Sequence, residues 1–243
     1  MHEGPVIIEA RNVHKIYNLG VVKVEALRGI DLKIKSGEFI SIIGPSGSGK
    51  TTLLDVLSAL LRPTHGEVLI KGRPVSSMND SELARVRGKT IGFVFQNFEL
   101  ITRLNALENV MLPLWFQGLP VEERRERATK ILKDVGLGDR MHHKPSELSG
   151  GQRQRVAIAR ALATEPDIIV ADEPTGNLDS ASGAAILEII DALHQKEGKT
   201  IMMVTHERYV AERAETIIHL KDGLVEKQET EHLKKNKIRR DYK

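Results

Sequence analysis

The sequence predicts an α/β fold with a parallel-sheet core, a β-rich N-terminal part and an inserted helical segment. Three observations carry that prediction. "FISIIGPSGSGKTTLLDVL" passes from a nearly continuous apolar strand through a glycine-rich loop into a helix, as expected of a strand buried on both faces of a parallel sheet. Strand and helix signals alternate again in "DIIVADE", "ASGAAILEIIDALHQ" and "TIMMVTH". Between these two regions, from Asn105 to about Pro166, helical signals dominate.

Taken in order, "VIIEARNVHKIY", "VEALRGIDLKIK" and "EFISIIG" read as strands, with "GEVLIKG" following later. "KTTLLDVLSALL" reads as a helix and "TIGFVFQ" as a strand ending at Gln96. In "VEERRERATKILKDVGL", Ala128, Ile131, Leu132 and Val135 fall on one helical stripe. Glu123 and Arg127 can pair on the opposite, solvent face. "TIIHLKDGLVEKQE" predicts a hairpin turning at Asp222-Gly223. The closing "KKNKIRRDYK" is strongly basic and reads as a solvated terminus.

Bulk properties narrow the function. The 243 residues suffice for one large α/β domain with an inserted subdomain. A formal charge of +3, spread along the chain apart from the tail, gives no argument for nucleic acid. Zero cysteines exclude disulfides, cysteine-ligated zinc and thiol catalysis. The N-terminal stretch "MHEGPVIIEARNV" has no apolar signal core. No apolar run approaches the roughly 20 residues that span a bilayer. Work at a membrane therefore calls for a second polypeptide.

"GPSGSGKT", Gly44 to Thr51, fits the G-x-x-x-x-G-K-[ST] phosphate loop and lies between a strand and a helix, as that pattern requires. Glycines let successive N–H groups converge on phosphate oxygens, and the helix start favours an anion. Lys50 can reach the β- and γ-phosphates, and the Thr51 hydroxyl can ligate Mg²⁺. A plain glycine turn is the alternative. Asp172 and Glu173 close an apolar strand, the position at which open α/β sheets bind ligands. Asp172 suits a Mg²⁺ shell, reached through water, and Glu173 is placed to take a proton from attacking water. An acidic helix cap is the plainer reading. Gln96 and His206 also end strands and could sense a γ-phosphate. Tyr17 could stack on a base or simply pack.

A second glycine pair stands in "LSGGQRQRVAIARAL". Ser149 and Gln152 form a capping box. That box does not account for Gly150 and Gly151, because glycine in a helix costs about 0.5–1 kcal/mol relative to alanine. Close approach of the backbone to an anion would account for them. One phosphate loop is already present, so this helix start would cover a nucleotide from the other side. Two chains would then sandwich two nucleotides.

Together these motifs resemble the ABC-type ATPases, over nearly the whole chain up to about Glu229. The loop Gly44, Pro45, Ser46, Gly47, Ser48, Gly49, Lys50, Thr51 and Thr52 is similar to Walker A. "DIIVADEP" resembles Walker B, and Ser149, Gly150, Gly151 and Gln152 match the ABC signature "LSGGQ". Gln96 matches the Q-loop, Asn177-Leu178-Asp179 the D-loop, His206 the switch histidine and Tyr17 the adenine platform. The resemblance implies a P-loop NTPase core with a parallel sheet, an N-terminal antiparallel β subdomain and an inserted α-helical subdomain. It implies core segments 1–96 and 167–229, a helical subdomain at 97–166 and a basic tail at 230–243. It further implies ATP and Mg²⁺ as cofactors, with Thr51, Gln96 and Asp172 on the metal and Glu173, Gln96 and His206 in catalysis. The nucleotide would meet Tyr17, the Gly44–Thr52 loop, the signature residues and Asp179. The partners implied are a second copy of the chain and an integral membrane permease docking near the Q-loop and helical subdomain, with no nucleic acid. The chain itself would be cytoplasmic, peripheral on the cytoplasmic face of the cell membrane.

The finer resemblance, in "GFVFQNFELITRLNALENVMLPL" and "ADEPTGNLDS", is to the lipoprotein-release, macrolide-export and cell-division group. A DNA-maintenance ATPase would separate its halves with a long coiled coil, and no sustained heptads lie between Lys50 and Ser149. A soluble assembly or scaffold ATPase is the remaining alternative. The apolar stretch after Gln96, with Trp115, would distinguish it: residues left exposed there would mark a partner groove.

Overall fold

The computed structural model describes residues 4–230, and the basic tail lies outside the described residues. In chain order the elements are β1 (Val6–Leu19), β2 (Val22–Lys35), β3 (Phe39–Ile43), α1 (Lys50–Leu57), β4 (His65–Ile70), β5 (Arg73–Pro74), α2 (Asp80–Lys89) and β6 (Ile91–Val94). There follow α3 (Ala106–Phe116), α4 (Val121–Asp134), α5 (Gly150–Leu162), β7 (Ile168–Asp172), α6 (Ser180–Gln195), β8 (Thr200–Val204), α7 (Arg208–Ala211), β9 (Thr216–Lys221) and β10 (Leu224–Thr230). The chain divides into two compact units, Met1–Leu83 with Thr200–Lys243, and Ala84–Lys199.

The first unit holds an antiparallel sheet in the order β2-β1-β4-β5. Its strands alternate as a half-buried sheet requires: Ile30, Leu32 and Ile34 face inward between exposed Asp31 and Lys33. The same unit holds the parallel trio β8, β3 and β9, with Ile42 level with both Val204 and Ile218. Every residue of β3 except the last is buried, which is why its sequence is nearly continuous apolar. β10 returns antiparallel to β9 through Asp222 (φ 48°) and Gly223 (φ 77°). Two left-handed residues are what the expected two-residue hairpin turn needs.

α1 is shorter than its apolar sequence suggests. It stops at Leu57 because the Ser58 hydroxyl bonds back to the Leu54 carbonyl at 2.7 Å and Ala59 turns left-handed. α2 is an element that hydrophobic periodicity does not announce. Its signal is the reciprocal pair at its start: the Asn79 N–H donates to the Glu82 carboxylate at 3.0 Å, and the Glu82 N–H to the Asn79 side chain at 2.9 Å.

In the second unit β6 and β7 run parallel, with Val94 level with Ala171. The helices α3, α4 and α5 share a core of Leu107, Val110, Leu114, Ala128, Leu132 and Val156. Of the stripe expected on α4, Ala128, Leu132 and Val135 are buried and Ile131 packs against them. Glu123 pairs with Arg127 at 2.7 Å on the other face. The α/β class with an antiparallel β part, a parallel sheet and helices is the one read from sequence.

Candidate active site

In the first unit the phosphate loop follows β3 and leads into α1. Three backbone segments crowd it. A Cβ on Gly44 would stand 2.0 Å from the Leu220 carbonyl oxygen. A Cβ on Gly49, which is left-handed at φ 98°, would stand 2.4 Å from the Ala26 carbonyl oxygen. The Gly223 N–H donates to the Ser48 carbonyl at 3.1 Å. Glycine at 44 and 49 is therefore a requirement of space as well as of conformation. Lys50 Nζ donates to the Gly44 and Pro45 carbonyls at 3.0 and 2.9 Å, so the cation arches over its own loop. Thr51 is exposed and Thr52 half-buried in the first turn of α1, where N–H groups have no intrahelical acceptor. The Ser48 hydroxyl is buried and has no partner among the described residues.

His206 lies two residues past β8 and Gly44 two past Ile42, on paired parallel strands. The histidine and the loop therefore share one carboxyl edge of the first unit. Tyr17, half-buried in β1, has Lys15 Nζ 5.5 Å from its ring centroid.

The second unit repeats this logic. β6 ends at Val94, so Gln96 sits two residues beyond the strand in a turn and does not close it. Asp172 is the last residue of β7, and Glu173 follows with φ 45°. From the strand register, Gln96 and Glu173 fall at the same level. A Cβ on Gly176 would meet Gln96 Nε2 at 2.9 Å and Glu173 Oε2 at 3.3 Å. The missing side chain at 176 keeps open a space flanked by that amide and that carboxylate. Asn177 Nδ2 donates to the Gln96 carbonyl at 3.1 Å and to the Asn97 side chain at 3.0 Å.

The signature stretch opens α5 with the expected capping box: Ser149 accepts from the Gln152 N–H at 3.3 Å, and Gln152 accepts from the Ser149 N–H at 2.9 Å. Asp179 caps α6, accepting from the Ser182 N–H at 2.9 Å and its hydroxyl at 2.7 Å. These bonds, the backbone one foremost, hold the carboxyl below its ordinary range.

Sequence reasoning missed two residues of α5. Gln154 is fully buried, and its Nε2 donates to the Pro174 carbonyl at 2.8 Å and the Phe95 carbonyl at 3.4 Å. Arg160 donates to the Phe98 carbonyl at 3.0 Å and also to the Glu99 carbonyl. Phe98 (φ 63°) and Glu99 (φ 48°) are consecutive left-handed residues without being glycine. Such residues cost about 1–3 kcal/mol each, and hydrogen bonds from a charged donor contribute about 1.5–3 kcal/mol each. Two such bonds are thus of the size needed to hold that turn. Burial lowers the Arg160 pKa, with Glu99 opposing. A polar side chain on an apolar-periodic helix gives no sequence signal for this.

A family model described as ABC transporter matches residues 27–176. The chain belongs to the ABC transporter family. An uncharacterized ABC transporter ATP-binding protein of Thermotoga maritima is 55% identical over 220 residues, covering 90% of this chain and 94% of that one. The macrolide export ATP-binding/permease protein MacB of Hyphomonas neptunium is 47% identical over 91% of this chain, which spans 34% of that longer protein. Among solved structures, the ATP-binding cassette MJ0796 of Methanocaldococcus jannaschii, in a dimeric post-hydrolysis state with ADP and Pi, matches with TM-score 0.86 and 49% identity. That match covers 92% of this chain and 98% of the other.

The cassette is accordingly an ATPase that uses ATP and Mg²⁺, and its loop fits them. Gly47, left-handed at φ 76°, has open space where a side chain would stand, and a buried, unpartnered Ser48 hydroxyl and the Lys50 ammonium lie in the same loop. No group of three or more acidic or histidine side chains that could hold a metal occurs among the described residues. A hydroxyl, one carboxylate and phosphate oxygens are the donors Mg²⁺ accepts in such sites.

Proposed function

We propose that this chain is the ATP-driven motor of a membrane permease complex, working as a two-nucleotide sandwich dimer on the cytoplasmic face of the membrane. In this reading the Gly44–Thr52 loop binds the phosphates, Lys50 neutralises their charge and Tyr17 carries the base. Thr51, Asp172 and Gln96 would hold Mg²⁺, which when bound draws charge from the phosphate oxygens. Glu173 takes the proton of the attacking water, and His206 faces the γ-phosphate. Ser149, Gly150, Gly151, Gln152 and Asp179 serve the nucleotide bound by the second copy. The segment 97–166 acts as the signature-bearing subdomain.

The observation that carries transport over a scaffolding role is a groove of about 320 Å³ in the second unit. It is lined by Phe93, Phe95, Leu112, Pro113 and Phe116, one residue from Gln96. Phe116 is 76% exposed and the adjacent Trp115 57% exposed, while Leu114 is fully buried. Exposed aromatics on a rim beside a site residue suit a short apolar helix from a permease. Among the described residues no helix is long and apolar enough to cross a membrane, so the span would come from that partner. MacB, of which this chain spans 34%, is named as an ATP-binding/permease protein, and the MJ0796 cassette is dimeric.

Glu173→Gln tests the reading. Loss of a general base costs about 10²–10⁴-fold in rate, while Lys50, the loop amides and Asp172 still bind ATP. Removing a carboxylate near the γ-phosphate also relieves repulsion. Light scattering should therefore find the variant monomeric without nucleotide and dimeric with Mg-ATP. Hydrolysis at the normal rate would remove the base assignment, and ATP binding without dimerisation would remove the sandwich.

A further inference from the structure

Between the signature helix and the segment of Gln96 lies a set of contacts that neither phosphate binding nor the capping of α5 requires. Gln96 and Asn97 are the central residues of a turn closed by the Phe98 N–H on the Phe95 carbonyl at 3.2 Å. α5 grips both ends of that turn. Gln154 holds the Phe95 carbonyl, and Arg160 holds the carbonyls of Phe98 and Glu99. Arg153, two turns before Arg160 on the same helix face, stands 5.2 Å from the centroid of the Phe98 ring. Arg153 also donates to the Leu148 carbonyl at 2.8 Å, at the first residue of the signature. Phe98 is thus pinned through its ring by one arginine and through its main chain by the other. A guanidinium suits this task because its planar fork serves two adjacent carbonyls at once.

We infer that Arg160 is a positioning residue for hydrolysis: it keeps the turn that carries Gln96 in fixed register with the signature helix, and it acts on the reaction through Gln96. The inference rests on the reading of Gln96 as a residue that serves the metal ion and the γ-phosphate. Two consecutive left-handed non-glycine residues do not hold such a geometry unaided. Without the fork the turn relaxes and the Gln96 amide moves from its place.

A double-mutant cycle on the full chain tests this, with Gln96→Ala, Arg160→Ala and both together. Steady-state ATP hydrolysis is read as kcat, as KM for ATP and as the Mg²⁺ concentration for half-maximal rate. Arg160→Ala should lower kcat about tenfold, as a misplaced group near the reacting atoms does, with KM within about twofold. It should raise the Mg²⁺ requirement in the same direction as Gln96→Ala. The double variant should be no slower than Gln96→Ala alone, because a residue acting through another has nothing left to act on. Adding Glu99→Gly to Arg160→Ala should restore much of kcat, since glycine adopts the left-handed conformation freely and Glu99 is exposed. A guanidinium needed only to keep α5 folded would not be replaced by a glycine in another segment. Additive losses, or no recovery with Glu99→Gly, overturn the inference and leave the role of Gln96 standing. Normal hydrolysis by Gln96→Ala overturns the Gln96 reading and this inference with it. If Arg160→Ala does not fold, Arg160→Lys keeps the charge but cannot fork two carbonyls. A reduced kcat at an unchanged melting temperature supports the inference, and a wild-type kcat overturns it.

Discussion

Gly150 and Gly151 are neighbours in the chain but meet different surroundings. A Cβ on Gly151 would stand 2.8 Å from the Ser182 hydroxyl and 2.9 Å from the Ser182 Cβ, both held close to the backbone of α6. A Cβ on Gly150 would meet the Leu178 Cδ2 at 3.3 Å, the movable end of a side chain, and the Asn177 carbonyl oxygen at an ordinary 3.9 Å. Packing within the chain therefore accounts for Gly151, and under the proposed sandwich Gly150 is the glycine left for an approaching phosphate. Alanine gains about 0.5–1 kcal/mol over glycine inside a helix, whereas overpacking costs about 1–3 kcal/mol. Gly151→Ala should lower stability in urea by about 1 kcal/mol. Gly150→Ala should be neutral or slightly stabilising yet lose ATP-dependent dimerisation. If both variants behave alike in both assays, the two glycines do not have separate reasons.

At the scale of elements, β10 is tied to its neighbours through one carboxylate. Glu229 accepts from Lys227 at 2.7 Å and Arg208 of α7 at 3.2 Å, and His219 of β9 has Nε2 3.0 Å from it. Lys227, Arg208 and His219 hold Glu229 down at about 2, against the opposing pull of burial. A carboxylate depressed in the folded state stabilises fully above its unfolded value near 4.5, and that contribution is lost as pH falls toward about 2. Lys227 and Arg208 are more than half exposed, so screening leaves on the order of 1 kcal/mol. Glu229→Gln should be less stable at neutral pH by about that amount. Its acid unfolding curve should converge with that of the parent between pH 4.5 and 2, measured by circular dichroism. Parallel curves over that range would show that the ion group adds nothing.

For the whole molecule, the decisive question is what meets the aromatic rim beside the Gln96 segment. Phe116 is exposed in a helix whose other side packs into the core, so a charge there should leave the fold intact, with stability unchanged to within about 0.5 kcal/mol. Phe116→Glu should abolish copurification with an integral membrane protein from native membranes. Retention of that partner would move the docking site elsewhere. A chain that unfolds would make the stretch core, against the exposure of its ring.

Local chemistry makes much of this protein legible in its sequence alone. The phosphate loop, the capping box at Ser149, the α4 stripe and the Asp222-Gly223 turn depend on residues close in sequence, where spacing alone states which groups can meet. Even α2, unannounced by periodicity, carries its signal in Asn79 and Glu82. Long-range contacts are not legible in that way. Nothing in "LSGGQRQRVAIARAL" tells that Ser182 crowds Gly151, that Gln154 bridges Phe95 and Pro174, or that Arg160 holds two strained carbonyls. Each of these is a meeting of groups far apart along the chain, and the backbone carbonyls among them are the same in every residue. Sequence names the side chain that reaches out; only the tertiary structure decides which carbonyl it finds.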